Sequence, residues 1–201
     1  MDMLQNGPKM MLFFDTETTG LPGNWKAPIT QTNNWPRLVQ LAWLEYDDQE
    51  NLLSEGNQII KPDGYIIPND AVAVHGITTE IAQQNGAALP SVLKEFSAIV
   101  NRSNLLISHN IDFDEKIVGA EFIRIGLESN LFNTHRLCTM KTTVDLCRIP
   151  GKYGYKWPSL SELHRFLFGS DIQDAHDAAV DVKICAKCFF ELKNRGFYQL
   201  S

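Results

Sequence analysis

Cysteine is scarce in this chain. The four present, Cys138, Cys147, Cys185 and Cys188, show no spacing that suggests a disulfide framework. Cys185-Ala-Lys-Cys188 has Cys-x-x-Cys form, but a structural zinc site needs a second ligand pair and none is evident. These thiols therefore read as small apolar residues on a helix. Long hydrophobic runs are missing too. Met10–Phe14 is too short for a secretory core and ends on Asp15. No stretch approaches the ~20 apolar residues of a membrane-spanning helix. A cytoplasmic protein with no membrane association is expected. There is no basic excess either, with 18 Lys+Arg against 24 Asp+Glu and a net charge of -6. That argues against a protein coated by nucleic acid, though not against a local basic rim. With 44% hydrophobic and 21% charged residues, the 201-residue chain suits one globular domain over residues 1–201.

The patterning predicts a three-layer α/β fold around a mixed sheet. Met10–Phe14 is continuously apolar, as in a central strand buried on both faces. Gly20-Leu-Pro-Gly23 marks a turn and Asn24–Pro36 a polar excursion loop. Arg37–Tyr46 and Asn57–Lys61 read as strands completing an antiparallel meander, and Asn104–Ser108 and Arg136–Met140 as further strands. Helices are expected at Pro90–Asn101, Phe113–Ile125, Ser159–Phe168 and Ala175–Asn194. Ser159 and Glu162 are spaced as a capping box, and Gly196 ends the last helix.

Four acids stand where an unpaired charge is costly, at the edges of apolar stretches. Asp15 and Glu17 are two apart on a strand and so project to one side. Side by side, they raise each other's pKa unless a cation intervenes. Asp114 has Ile117 and Val118 at i+3 and i+4, which places it on the inward stripe of its helix. Asp112 has Glu115 and Lys116 there and reads as a solvated first-turn acid. Asp181 lines up with Ala178, Cys185, Cys188 and Leu192. His176 lies five residues before Asp181, while His75 and His109 read as structural. Hard carboxylate oxygens suit two Mg²⁺ or Mn²⁺ ions rather than zinc. Two such ions ~4 Å apart assist in-line displacement at phosphorus, and a histidine can take the proton of the attacking water.

Phe-Asp15-Thr-Glu17-Thr-Thr-Gly-Leu, His-Asn-x-x-Phe-Asp114 and His176-x-Ala-x-x-Asp181 resemble, in order, the three motifs of the DEDDh 3′–5′ exonucleases. These are the DnaQ-like enzymes that include polymerase proofreading subunits. Val74-His75-Gly76-Ile77-Thr78 is similar to a further family segment. The resemblance implies a ribonuclease H-like fold with a central five-stranded mixed sheet. It implies that Asp15, Glu17 and Asp181 hold one metal, that Asp15 and Asp114 serve a second, and that His176 is the general base. The backbone at Thr16 would meet the terminal 3′-OH and Leu21 the terminal base. Thr18, His109, Asn110 and Phe113 would join the substrate contacts. The implied substrate is nucleic acid with a free 3′ end, DNA favoured, in a proofreading or repair setting.

The five motif positions show no departure from the family pattern. The chain ends soon after the last motif helix, so a free-standing enzyme is as expected as one joined to a DNA polymerase. Substrate holding is also expected from Arg148–Trp157. There Lys152 and Lys156 alternate with Tyr153, Tyr155 and Trp157, and the alternative is a loop whose rings pack onto the core. An RNA-directed enzyme and a catalytically idle binding module in a polymerase assembly are the other readings.

Overall fold

The computed structural model describes residues 9–172 and 177–199. Five strands form one sheet: β1 (Met11–Thr18), β2 (Leu38–Tyr46), β3 (Leu52–Ile59), β4 (Leu105–Ser108) and β5 (His135–Cys138). A two-residue-per-strand hairpin follows, β6 (Pro150–Gly151) and β7 (Gly154–Tyr155). The helices are α1 (Asn69–His75), α2 (Thr79–Asn85), α3 (Leu89–Arg102), α4 (Ile111–Arg124), α5 (Thr139–Thr142), α6 (Val144–Cys147), α7 (Leu160–Phe168) and α8 (Ala178–Asn194). No described helix is long and apolar enough to cross a membrane.

The sheet order is β3-β2-β1-β4-β5. β1, β2 and β3 form an antiparallel meander, and β4 and β5 continue parallel to β1. This is the mixed five-stranded sheet with flanking helices that the sequence implies. β1 and β2 are covered on both faces, so both read as nearly unbroken apolar runs. Alternation along β1 divides the core. Leu12 and Phe14 pack with Trp43 against α3 and α4, while Met11 and Phe13 pack against α7 and α8. Cys185 and Cys188 are free and buried in the second of these cores, as small apolar residues would be.

The strand expected at Arg136–Met140 is His135–Cys138, because Thr139 and Met140 already turn into α5; three further boundaries differ from expectation for identifiable reasons. β1 continues past Asp15 because its ladder with β2 runs on to Thr18 opposite Leu38. β3 begins at Leu52, not Asn57, because ladder bonds to β2 define it and not burial; Leu52 and Leu53 on this edge strand are half-exposed. α4 begins at Ile111, two residues early, because Asn110 adopts a left-handed conformation (φ 90°) that turns the chain from β4 straight into the helix. The expected start of the last helix, Ala175, lies outside the described residues. The Ser159/Glu162 capping box forms as expected.

Between β1 and β2 the chain makes its excursion through residues 20–36. The neck of this loop is closed twice: Thr19 N donates to Arg37 O (2.9 Å), and Arg37 N donates to Thr19 Oγ1 (2.9 Å). Inside the loop Trp35 is buried, and the half-exposed Trp25 leans on Phe113 with ring centroids 5.7 Å apart.

Candidate active site

Past Phe13, the β1 alternation carries Asp15 and Glu17 to the α8 side of the sheet. There Asp181, in the first turn of α8, meets them. One carboxylate oxygen from each of the three lies within 4.8 Å of the others. The fourth acid, Asp114, enters from the first turn of α4 and is 3% exposed. Thr16 Oγ1 donates to its Oδ1 (2.7 Å) and Ser108 Oγ to its Oδ2 (2.5 Å). Thr16 thus serves the site by its side chain: it faces away from Asp15 and Glu17 and anchors the acid beside them.

The four acids act on one another electrostatically. Burial, followed by the charges of Asp114, Asp181, Glu17 and Asp177, pushes the Asp15 carboxyl well above its usual range. Burial and the charges of Asp181, Asp114 and Asp177 push Glu17 up to about 8. Asp114 rises to about 6, since burial outweighs the two hydroxyl bonds that favour its charged form. Such a group of oxygens, held together against their own repulsion, fits a hard divalent cation.

The start of α8 is tied to the sheet by a residue no motif marks. Gln40 of β2 stands opposite Glu17 and is buried. Its Nε2 donates to Asn57 Oδ1 (2.8 Å) and to Asp177 Oδ1 (3.0 Å), and its Oε1 accepts from Ala178 N (3.3 Å). Asp177 caps α8 by accepting from Ala179 N (2.9 Å). The sequence signal was there, a single amide in the apolar run Leu38–Leu44. His176 lies outside the described residues.

A cleft of about 510 Å³ opens beside the carboxylates, lined by Thr16, Glu17, Thr18, Leu21, His75 and Phe113 among others. Leu21 is 74% exposed at its rim, whereas Thr18 is buried with its hydroxyl donating to Gly20 O (2.6 Å). His75, a structural residue on its sequence context alone, is in fact part of the cleft wall. Its Nδ1 accepts from Ile77 N (3.1 Å), its buried Nε2 has no hydrogen-bond partner among the described residues, and burial lowers its pKa.

His109 has both ring nitrogens engaged by the protein. Nε2 contacts Pro158 O (3.0 Å), which only accepts, so Nε2 carries the proton. Nδ1 then accepts from Thr139 Oγ1 (2.9 Å). Burial lowers the His109 pKa to about 4, against about 6.5 for an unperturbed histidine. A depressed histidine pKa gives stability that is complete above pH ~6.5 and is lost as pH falls toward ~4. The stability advantage of wild type over His109→Gln should therefore shrink by ~1–2 kcal/mol between pH 7 and pH 5. Urea denaturation of both proteins at the two pH values checks this, and an unchanged difference would refute the neutral-histidine assignment.

Two surface expectations need correction. Asp112 is half-exposed as expected, but its partner is Lys141; Lys116 instead donates to Trp25 O (3.1 Å). Lys156 is not a free cation, because its Nζ donates to Glu162 Oε1 (2.6 Å). The aromatic rings of the Arg148–Trp157 segment do not pack into the core: Tyr153 is 91% and Trp157 60% exposed.

With this site in view, comparison with known families is decisive. A family model described as Exonuclease (RNase_T) matches residues 12–189. The chain belongs to this exonuclease family. Among curated relatives of the exonuclease, the uncharacterized exonuclease CP81 of Escherichia phage 186 is 26% identical over 184 residues, covering 86% of this chain and 82% of that protein. Among solved structures, E. coli Exonuclease I in complex with a dT13 oligonucleotide superposes with a TM-score of 0.74 at 20% identity over 94% of this chain. The zinc-bound form of an Exonuclease I–ssDNA complex gives 0.72 at 21% identity over 94%. At this identity the likeness shows the fold. The chain spans about 42% and 41% of those two longer chains. The family makes this protein a nuclease of a kind that generally uses divalent metals.

Proposed function

We propose that the protein is a divalent-metal-dependent 3′–5′ exonuclease that acts on nucleic acid with a free 3′ end, DNA favoured, and releases nucleoside 5′-monophosphates. The observation that carries this reading is the convergence of Asp15, Glu17 and Asp181, with Asp114 acting electrostatically on the same group. The dT13 complex of Exonuclease I adds support for a single-stranded DNA substrate.

Asp15, Glu17 and Asp181 would hold one Mg²⁺ or Mn²⁺, and Asp15 with Asp114 a second. A cation bound there would supply positive charge against the phosphoryl oxygens during in-line displacement. The protein's own groups do the rest. Leu21 and Phe113 hold the terminal nucleotide in the cleft, with Thr16, Thr18 and Asn110 shaping the backbone around it. His176, directly before the cap residue Asp177, takes the proton of the attacking water. The water oxygen bonds to phosphorus, the P–O3′ bond breaks, and the upstream nucleotide keeps its oxygen as a free 3′-hydroxyl once protonated. His109 acts at one remove, by holding the Pro158 carbonyl between the hairpin and α7.

Incubating 5′-labelled and 3′-labelled oligonucleotides, as DNA and as RNA, with magnesium or with EDTA tests the reading. A 5′-labelled DNA should shorten progressively and a 3′-labelled one should release labelled mononucleotide at once, with both reactions stopped by EDTA. Shortening from the 5′ end would overturn the polarity. His176→Ala should lower kcat by about 10²–10⁴ and leave metal affinity near wild type. Loss of metal binding by calorimetry would instead make His176 a ligand.

In the hairpin, Lys152 lies 5.2 Å from the Tyr153 ring centroid. With Lys156 committed to Glu162, Lys152 is the residue we assign to the phosphates and the exposed rings to the bases. Lys152→Ala should raise KM and reduce its salt dependence by about one phosphate contact, whereas Lys156→Ala should do much less. Equal effects on KM would return Lys156 to the substrate contacts.

A further inference from the structure

A second and larger cleft, about 680 Å³, shares no lining residue with the catalytic one. Its walls bring together Arg37, Lys61 and Arg124 against one lining carboxylate, Asp63. These cations gather on one wall in a chain of net charge -6.

The three cations are committed to different degrees. Arg124 is fixed, with Nη2 donating to Thr32 O and Trp35 O (2.6 Å each) and Nη1 lying 2.9 Å from Glu121 Oε1. Arg37 is half-committed. Its Nε donates to the same Glu121 oxygen (2.8 Å) and its guanidinium lies 4.3 Å over the Tyr65 ring, but its terminal nitrogens make no hydrogen bond to the described residues. Lys61 is exposed and has no partner for its ammonium among the described residues. Glu121 is fully buried and also accepts from Leu38 N (3.0 Å), so its charge is spent behind the cleft rather than shown to it.

Two further features point to the same ligand chemistry. α3, fourteen residues long, begins at the cleft with Leu89 and Pro90 in the wall, and its N-cap is Ala88, which offers no side-chain acceptor. Pro90 has no N–H and Ser91 N already donates to Ala88 O (3.0 Å), so what this end offers an anion is the helix dipole and not a cradle of donors. Leu89, Pro90 and Ile125 add apolar side chains to the same wall. The position is suggestive as well. Arg37 directly precedes β2, and Lys61 follows β3 through Ile60, so both lie at the sheet edge where the antiparallel β1 ends in Thr18. A smaller hollow, lined by Thr19 among others, shares Arg37 and Arg124 with the second cleft.

We propose that this cleft is a second nucleotide-binding site, taking a phosphate on Arg37, Lys61 and the start of α3 and a base against Leu89, Pro90 and Ile125. A free nucleoside monophosphate and one nucleotide unit of a strand leaving the catalytic cleft present the same chemistry to it.

The test is titration of dTMP, inorganic phosphate and a short fluorescent oligo-dT in EDTA, where no turnover occurs, so the result is independent of the proposed reaction. dTMP should bind, inorganic phosphate should compete weakly, and Asp15→Ala should retain the binding. Lys61→Glu should weaken it by about tenfold or more. Lys61 is exposed and unpaired, so this variant should fold normally, as circular dichroism would verify. Displacement of dTMP by oligo-dT assigns the site to the strand, and co-binding assigns it to a free nucleotide. Absence of dTMP and oligo-dT binding in EDTA overturns the proposal, as does binding that is indifferent to Lys61→Glu or lost in Asp15→Ala.

Discussion

Asp15→Ala should leave a folded protein whose hydrolysis rate has fallen by several orders of magnitude. Asp15 is within reach of Glu17 and Asp181, and Asp114 is the neighbouring charge that acts on it most strongly. Its removal therefore disrupts both proposed metal positions at once. The same substitution relieves repulsion within a crowded group, so the metal-free variant should be at least as stable to urea as metal-free wild type. Metal should add less stability to the variant than to wild type. Activity retained in Asp15→Ala, or full activity of wild type in EDTA, would sink the metal-dependent account.

A comparison of two acids on one helical turn should be nearly as large in effect and more discriminating. Asp114→Asn should lose most activity. The substitution keeps the size and one accepting oxygen, but it removes the charge and places an amide beside the Thr16 or Ser108 hydroxyl. Asp112→Asn loses only a half-exposed pair with Lys141. It should change stability within ~0.5 kcal/mol and leave kcat near wild type. Assays of both under saturating magnesium, with folding verified, decide the matter. A folded but inactive Asp112→Asn beside an active Asp114→Asn would mean the functional face of α4 has been misassigned.

The carboxylate cluster was legible in the sequence because its residues break local rules. Acids embedded in apolar strand and helix stripes need a reason, and spacing alone put Asp15 with Glu17 and separated Asp114 from Asp112. Long, well-patterned elements such as β2, α3 and α7 were legible for the same reason. What stayed hidden carries weak patterns. α1 and α2 have seven residues each, too few to develop an amphipathic stripe, and α5 and α6 have four. The outer half of β3 buries little. Gln40 looked like a strand residue of the wrong polarity, and its role appears only when α8 is laid beside β2. Lys156 could not be seen to pair with Glu162, since the bond depends on the hairpin folding back to the start of α7.

The closed neck at Thr19 and Arg37 separates two kinds of variation. Below it, the β1–β2 register decides which way the carboxylates point, and a slip of one residue would turn Asp15 and Glu17 into the α3–α4 core. Above it, the segment with Leu21 and Trp25 forms part of the surroundings of the catalytic cleft. The Thr19–Arg37 bonds leave that register closed when residues around Leu21 change, whereas Ala27 and Trp35 are buried in the α3–α4 core and the Thr32 and Trp35 carbonyls hold Arg124. In the proposed reading, exchange at Leu21 should therefore change the grip on the terminal nucleotide, and so KM more than kcat, while the carboxylates keep their register.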